Sequence, residues 1–337
     1  MKKKEFIFIS VGLLIFILLL EGFARIYNFI RSSTSSVILS KNEILMYENR
    51  PSIVFKSNHG VLMKYNSLGF IGDEIAPKSN GTFRILGIGD SITSASYLSD
   101  EYRFLNILQK ILSNKLNKSI EVINAGTGGY NTWQELELIK QKGLSVEPDL
   151  IIVEICLNDY IHNKPNLRKN WFNIISVNYR ESSEVRYFNF LYQKSDLYKF
   201  LYDFLAKFRL NTLDKKDFLA YVKNYNFNIN ENEFREWIKP LSEINTVAKA
   251  HNIKLIFVIF PLQNQVVNRH DASCDKLSNF FKENGIYYID LIKDFKYQIS
   301  LGKILFKERD ILHPNSEGHK ICANVIANYI ENKNIIE

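Results

Sequence analysis

A chain of 337 residues, 46% hydrophobic and 13% aromatic, carries enough apolar material for a full core in one or two domains. Its formal charge of +7 comes from lysines scattered among 36 acidic residues, with no arginine-rich stripe, basic helix or zinc-ligand spacing, which excludes the usual nucleic-acid binders. Cys156, Cys274 and Cys322 form no CxxC pair and no disulfide framework, so a disulfide-built scaffold is excluded as well.

In chain order, Lys2–Lys4 precede Phe6–Leu20, an apolar run broken only by Ser10 and Gly12. Positive charge before such a run keeps the N-terminus in the cytoplasm and sends the downstream chain outward. The run is short for a span, but continuation through Glu21–Ile30 lengthens the helix and lets Glu21 pair with Arg25 at i,i+4. Gly22-Phe23-Ala24 offers a rival signal-peptidase site. Because aromatic and apolar residues continue beyond it, residues 1–30 are read as an uncleaved anchor, with a cleaved signal as the alternative. Both readings put the body outside the cytoplasm.

Residues 31–82 read as a linker and lead-in. Arg31–Ser36 is polar and has too few apolar residues to pack. The remainder holds short apolar pieces and the turn-rich Tyr65–Gly72, whose chemistry is uninformative.

From residue 83 to 337 strands alternate with helices. Arg84–Ile88 is a short apolar strand ending in Gly89-Asp90-Ser91. Phe104, Leu105, Leu108, Ile111 and Leu112 mark one face of a helix by their three- and four-residue steps. Ile120–Ile123 is a strand running into Asn124-Ala-Gly-Thr-Gly-Gly-Tyr130, and the next helix spans Trp133–Lys142. Leu150–Leu157 is an apolar run of the type buried on both faces, ending at Asn158-Asp159. Lys254–Phe260 and Ile286–Ile289 are further strands, and a helix from Pro314 to Asn332 closes the chain. Such alternation specifies a parallel sheet between helix layers. Residues 160–245 interrupt the rhythm; rich in Tyr and Phe, with a helical pattern at Leu197–Phe208, they read as a helical insertion or lid, or as packing over the sheet.

Chemistry gathers at the strand ends. A hydroxyl nucleophile needs a base, and the base needs an orienting group. Ser91 comes after the first strand, and Asp310-Ile-Leu-His313-Pro314 supplies an imidazole and a carboxylate three residues apart. Pro314 suits a first helical position, which would hold His313 at the helix entrance. The Gly128-Gly129 loop and Asn158 stand at two further strand ends, where donors for an oxyanion belong. Singly, these signals have bland readings: a helix cap, an Asx turn, a surface pair. His59, His162, His251, His270 and His319 lack such company and read as structural or surface residues, and Cys156 reads as a small core residue.

The blocks in this order resemble the SGNH, or GDSL-type, hydrolase superfamily, with a lead-in at Asn66-Ser-Leu-Gly-Phe similar to membrane-anchored bacterial members. The resemblance implies a flavodoxin-like α/β/α fold with five parallel strands. It implies Ser91, His313 and Asp310 as catalytic residues and an oxyanion hole from Ser91, Gly129 and Asn158. It also implies hydrolysis of esters with neither metal nor cofactor. Cys156 departs from the usual glycine of the third block, which bears on substrate size. The expected activity is removal of O-acyl groups, in the first place acetyl, from an extracytoplasmic glycan or small ester. An O-acyltransferase, a lipid-directed esterase and a non-catalytic glycan-binding subunit are the alternatives. The implied partners are that acylated substrate and the membrane, without nucleic acid; oligomeric state is left open.

Overall fold

The computed structural model describes residues 3–42, 44–156, 159, 194–198, 200–201, 230–267, 272–308 and 310–336. The chain divides into two compact units, Met1–Ser35 with Pro165–Tyr225, and Ser36–Lys164 with Asn226–Glu337.

In the first unit, α1 (Lys3–Thr34) is a single helix. Its stretch Lys4–Phe29 has a mean hydropathy of 2.6 and is long and apolar enough to cross a membrane. No proline interrupts it, so every interior N–H finds its carbonyl within the segment, the condition hydrocarbon imposes. Near its C-terminal end the expected Glu21–Arg25 pair forms at 3.2 Å. Glu21 also accepts from Ser195 Oγ (2.8 Å) and from the N–H groups of Asp196 (2.9 Å) and Leu197 (3.0 Å). Asn28 Nδ2 donates to Asp196 Oδ1 at 2.9 Å, and Tyr27 meets Phe200 edge-on. Residues 196–198 and 200–201 are helical, as the Leu197 pattern expects; most of the 160–230 stretch, with its aromatic first half, lies outside the described residues.

The second unit opens with two small antiparallel pairs: β1 (Val37–Leu39) with β2 (Tyr47–Asn49), and β3 (Ile53–Lys56) with β4 (Leu62–Tyr65). Then come β5 (Thr82–Ile88), α2 (Ser91–Ser94), α3 (Phe104–Leu116), β6 (Ser119–Asn124), α4 (Thr132–Gln141) and β7 (Leu150–Ile155). Beyond the insertion lie α5 (Glu231–Ala250), β8 (Lys254–Ile259), α6 (Gln263–Val267), α7 (Ala272–Glu283), β9 (Tyr287–Asp290), α8 (Ile292–Ser300) and α9 (Ser316–Asn332).

The five strands β5 to β9 form one parallel sheet in the order β6-β5-β7-β8-β9, the doubly wound flavodoxin-like order. Central β7 is buried along its whole length; each of its Leu, Ile and Val side chains contributes about 1.5–3 kcal/mol relative to exposure. Helices α3 and α9 pack together, while α4 packs on α5, completing three layers. Phe104, Leu105, Leu108 and Leu112 turn inward from α3, and Leu136 and Ile139 from α4, as their spacing requires. The final part of the 160–245 stretch belongs to α5, which buries Trp237, Leu241 and Ile244 and serves as packing.

The closing helix differs from expectation at its entrance. Pro314 is not its first residue: Asn315 caps it, accepting from the N–H groups of Glu317 and Gly318, and Pro314 instead bridges to Phe306. A side-chain cap satisfies two orphan donors, which proline at the first position cannot do, and that moves the helix start. The strand expected over Leu150–Leu157 stops at Ile155, where the chain turns; Leu157 lies outside the described residues. The three cysteines are buried thiols, none in a disulfide.

Candidate active site

In an open parallel sheet, ligands sit beyond the carboxyl ends of strands where the winding direction reverses. Here that place lies between β5 and β7, and the turn after β5 carries Ser91 there. Asp90 caps the short α2 by accepting from Ile92 N–H at 2.8 Å, which leaves Ser91 as the helix's first residue. Gly89 is required by close approach: a Cβ would fall against Thr93 Oγ1 and within 2.5 Å of Glu154 Oε2.

Ser91 Oγ lies 2.8 Å from His313 Nε2, and His313 Nδ1 lies 2.8 Å from Asp310 Oδ2. Asp310 Oδ1 accepts from the N–H groups of Leu312 (3.0 Å) and His313 (3.1 Å), an Asx-type turn that locks carboxylate and imidazole together. Burial pushes the Asp310 carboxyl up, but its bonds with His313 and these two N–H groups outweigh burial and hold it well below the usual carboxylate range. A carboxylate only accepts, so Nδ1 carries the ring proton and Nε2 presents its lone pair to Ser91. This arrangement can take a proton from the serine hydroxyl.

The segment 124–130 continues β6 at the sheet edge before it turns. Ala125 N–H donates to Gly87 O (2.9 Å) and Thr127 N–H to Gly89 O (3.0 Å), so the loop runs beside the Ser91 turn. Gly129 adopts φ +79°, a left-handed conformation that favours glycine. The lead-in strands, which sequence reasoning left without a role, brace this loop. Tyr47 donates its hydroxyl to Gly128 O at 2.8 Å, Tyr130 donates to Tyr47 O, and Gln134 Nε2 donates to Leu45 O at 2.8 Å. Asn158 lies outside the described residues; its neighbour Asp159 is fully buried and accepts from Cys156 N–H at 2.9 Å.

The GDSL-like Lipase/Acylhydrolase family matches residues 88–321, from the residue before Gly89 to the middle of α9. The chain belongs to that family. It is accordingly a carboxylic ester hydrolase. Among solved structures it is similar to an acetyl xylan esterase (18% identity, TM-score 0.46, 74% of this chain and 100% of that one). It is also similar to a lipolytic G-D-S-L family protein from Veillonella parvula (14%, 0.43, 72% and 94%). A two-domain esterase active on acetylated mannans matches at 16% and 0.46, covering 74% of this chain and 49% of its own. No curated protein matches the chain in sequence.

In this GDSL-like hydrolase a second layer, not foreseen, supports His313. His319 on α9, read from sequence as structural or surface, is fully buried. Its Nδ1 accepts from Phe104 N–H (3.2 Å), so Nε2 holds the proton and donates to Tyr97 Oη at 2.9 Å. Burial pushes the His319 imidazole down to about 3, with the His313 and Arg103 charges acting in the same direction. The Tyr97 ring meets His313 edge-on at 5.2 Å, with Lys307 Nζ over its face at 4.5 Å and His59 at its rim. The only advance signal was the i,i+6 spacing of His313 and His319 across a helix start, which is too weak to single out. His162 and His270 lie outside the described residues, and His251 is exposed at the end of α5.

Proposed function

We propose that Ser91 is the nucleophile, His313 the general base and Asp310 the group that orients it, with the N–H groups of Ser91 and Gly129 and the Asn158 side chain receiving the oxyanion. The observation that carries this reading is the unbroken chain of two 2.8 Å contacts from Ser91 Oγ through His313 to Asp310. Ser91 Oγ attacks the ester carbonyl carbon while its proton passes to His313 Nε2, and the carbonyl electron pair moves onto oxygen. Collapse of the tetrahedral species breaks the bond to the alcohol, which leaves with the proton from Nε2. Water then attacks the acyl-serine, again deprotonated by His313, and collapse releases the acid and restores the Ser91 hydroxyl.

The substrate in this reading is an O-acyl, foremost O-acetyl, group on a cell-surface glycan, and the body is tethered outside the cytoplasm by α1. Support for a retained tether comes from Glu21. Cleavage after Ala24 would remove the acceptor for Ser195 Oγ and for the N–H groups of Asp196 and Leu197. A body held on the outer face meets immobile polymer, and a hydrolase needs only water as second substrate.

An activated acetyl ester supplied to the full chain in detergent, with and without oligosaccharide acceptors, tests this. Free acetate is expected to form as fast as the leaving group in both cases. Acetate that lags while acetylated sugar accumulates would make the protein an acyltransferase instead.

A further inference from the structure

Behind the nucleophile turn lies a group of carboxyl side chains that hydrolysis does not use. Asp90, Glu135, Glu154 and Asp159 are each at most 1% exposed, and no cation pairs with Glu135, Glu154 or Asp159 among the described residues. Glu154 occupies the centre of this group, on β7 beneath the turn at the end of β5. Its Oε2 accepts from Asp90 N–H (3.1 Å) and from the Thr93 hydroxyl (3.1 Å), the residues on either side of Ser91 and Ile92. The Asp90 charge also acts on this carboxyl and disfavours a second negative charge beside it. Glu154 Oε1 is buried and has no hydrogen-bond partner among the described residues. Asp90 in turn holds α2 through Ile92 N–H, and its Oδ2 lies 3.5 Å from Ser91 Oγ. The glycine of the Gly-Asp-Ser turn gives Glu154 its room.

We propose that Glu154 is a positioning residue held as the neutral carboxylic acid, accepting from Asp90 N–H and the Thr93 hydroxyl, so that this clamp aims Ser91 at His313. The inference rests on Ser91 being the nucleophile. Neighbouring buried carboxylates would repel strongly in a low-dielectric site, and a proton on one removes that repulsion. The direction of the Glu154 titration agrees: burial pushes its carboxyl well up, and the charges of Asp90 and Asp159 push it further. The titratable groups facing it are Asp90 from the turn, Glu135 from α4, Asp159 beyond β7, Tyr97 beyond α2 and Cys322 from α9. None is basic. Among the described residues an ionised Glu154 therefore has no cation to neutralise it, whereas a neutral one still accepts from both sides of the turn.

Glutamine reproduces the neutral acid and keeps an oxygen for Asp90 N–H and Thr93, so it separates the neutral form from the anion. In the full chain, Glu154→Gln is expected to keep fluorophosphonate labelling and ester turnover within a few-fold of wild type. Glu154→Ala is expected to lose about 100-fold in kcat with KM little changed, the scale of a misaimed nucleophile. Thr93→Val, which removes one donor to Oε2, is expected to fall between them and serves where Glu154→Ala fails to fold.

Melting temperature gives an independent measure. A carboxyl raised in the folded state contributes stability below its unfolded pKa and loses it as pH rises through the folded value. The melting temperature of Glu154→Gln is therefore expected to gain on wild type between about pH 5 and about pH 8. Labelling in Glu154→Gln as slow as in Glu154→Ala, or a difference in melting temperature that does not grow with pH, overturns the clamp alone. Labelling that survives Ser91→Ala overturns the nucleophile assignment and the clamp with it.

Discussion

At the scale of single residues the site depends on where two protons sit. Asp310 accepts from Nδ1, and that fixes the lone pair of Nε2 toward Ser91. Asp310→Asn replaces an acceptor with a group that can turn its amide toward Nδ1 and so stabilise the wrong tautomer. Turnover is expected to fall on the order of 10⁴-fold with the fold intact. The same variant has a stability signature. The native environment holds Asp310 below the usual carboxylate range, so its contribution is full above the unfolded pKa of roughly 4 and is lost progressively below it as pH falls through the lowered folded value. Asp310→Asn is expected to be less stable than wild type at neutral pH, with the deficit shrinking on acidification in a denaturant titration. A deficit independent of pH would mean that the His313 bond contributes no net charge stabilisation. The pair was legible in sequence because an Asx turn brings residues three apart together. His319 was not, because nothing local marks a buried histidine whose partners, Tyr97 and the Phe104 N–H, lie more than two hundred positions away.

At the scale of elements, period and punctuation carried most of the fold. Continuous apolar runs became β5, β7 and β8, and the inward faces of α3 and α4 obeyed their helical spacing. Ends were harder. The start of α9 was misplaced because proline and asparagine compete there, and the capping side chain won. The lead-in had no legible role because its work is long-range: β2 reaches across to the Gly128-Gly129 loop, and no periodicity encodes that contact. This bracing can be tested by a single hydroxyl. Tyr47→Phe removes the group that holds Gly128 O, at a cost of about 1 kcal/mol in stability. If Gly129 N–H receives the oxyanion, kcat falls while KM holds, since that charge exists only as the reaction proceeds. An unchanged kcat in Tyr47→Phe, with the stability loss present, would detach the lead-in from catalysis.

At the scale of the whole molecule, a sheet wound in two directions brings Ser91 from one end of the catalytic unit to His313 at the other. The winding reversal between β5 and β7 supplies the cleft, and the turn just ahead of α9 delivers the imidazole from the opposite end of the chain. Buried carboxyls behind the cleft and a carboxylate within it make opposite demands on pH. The first group is favoured by acid and the second by neutrality, so the stability of the fold against pH is a compromise between them. The central claim is that Ser91 becomes covalently acylated because His313 deprotonates it. Intact-mass analysis of the full chain after fluorophosphonate treatment, with peptide mapping of the product, tests this most directly. One adduct is expected on the peptide containing Ser91, none in Ser91→Ala, and a much slower one in His313→Ala; an adduct that persists in Ser91→Ala, or one indifferent to His313, would contradict the claim.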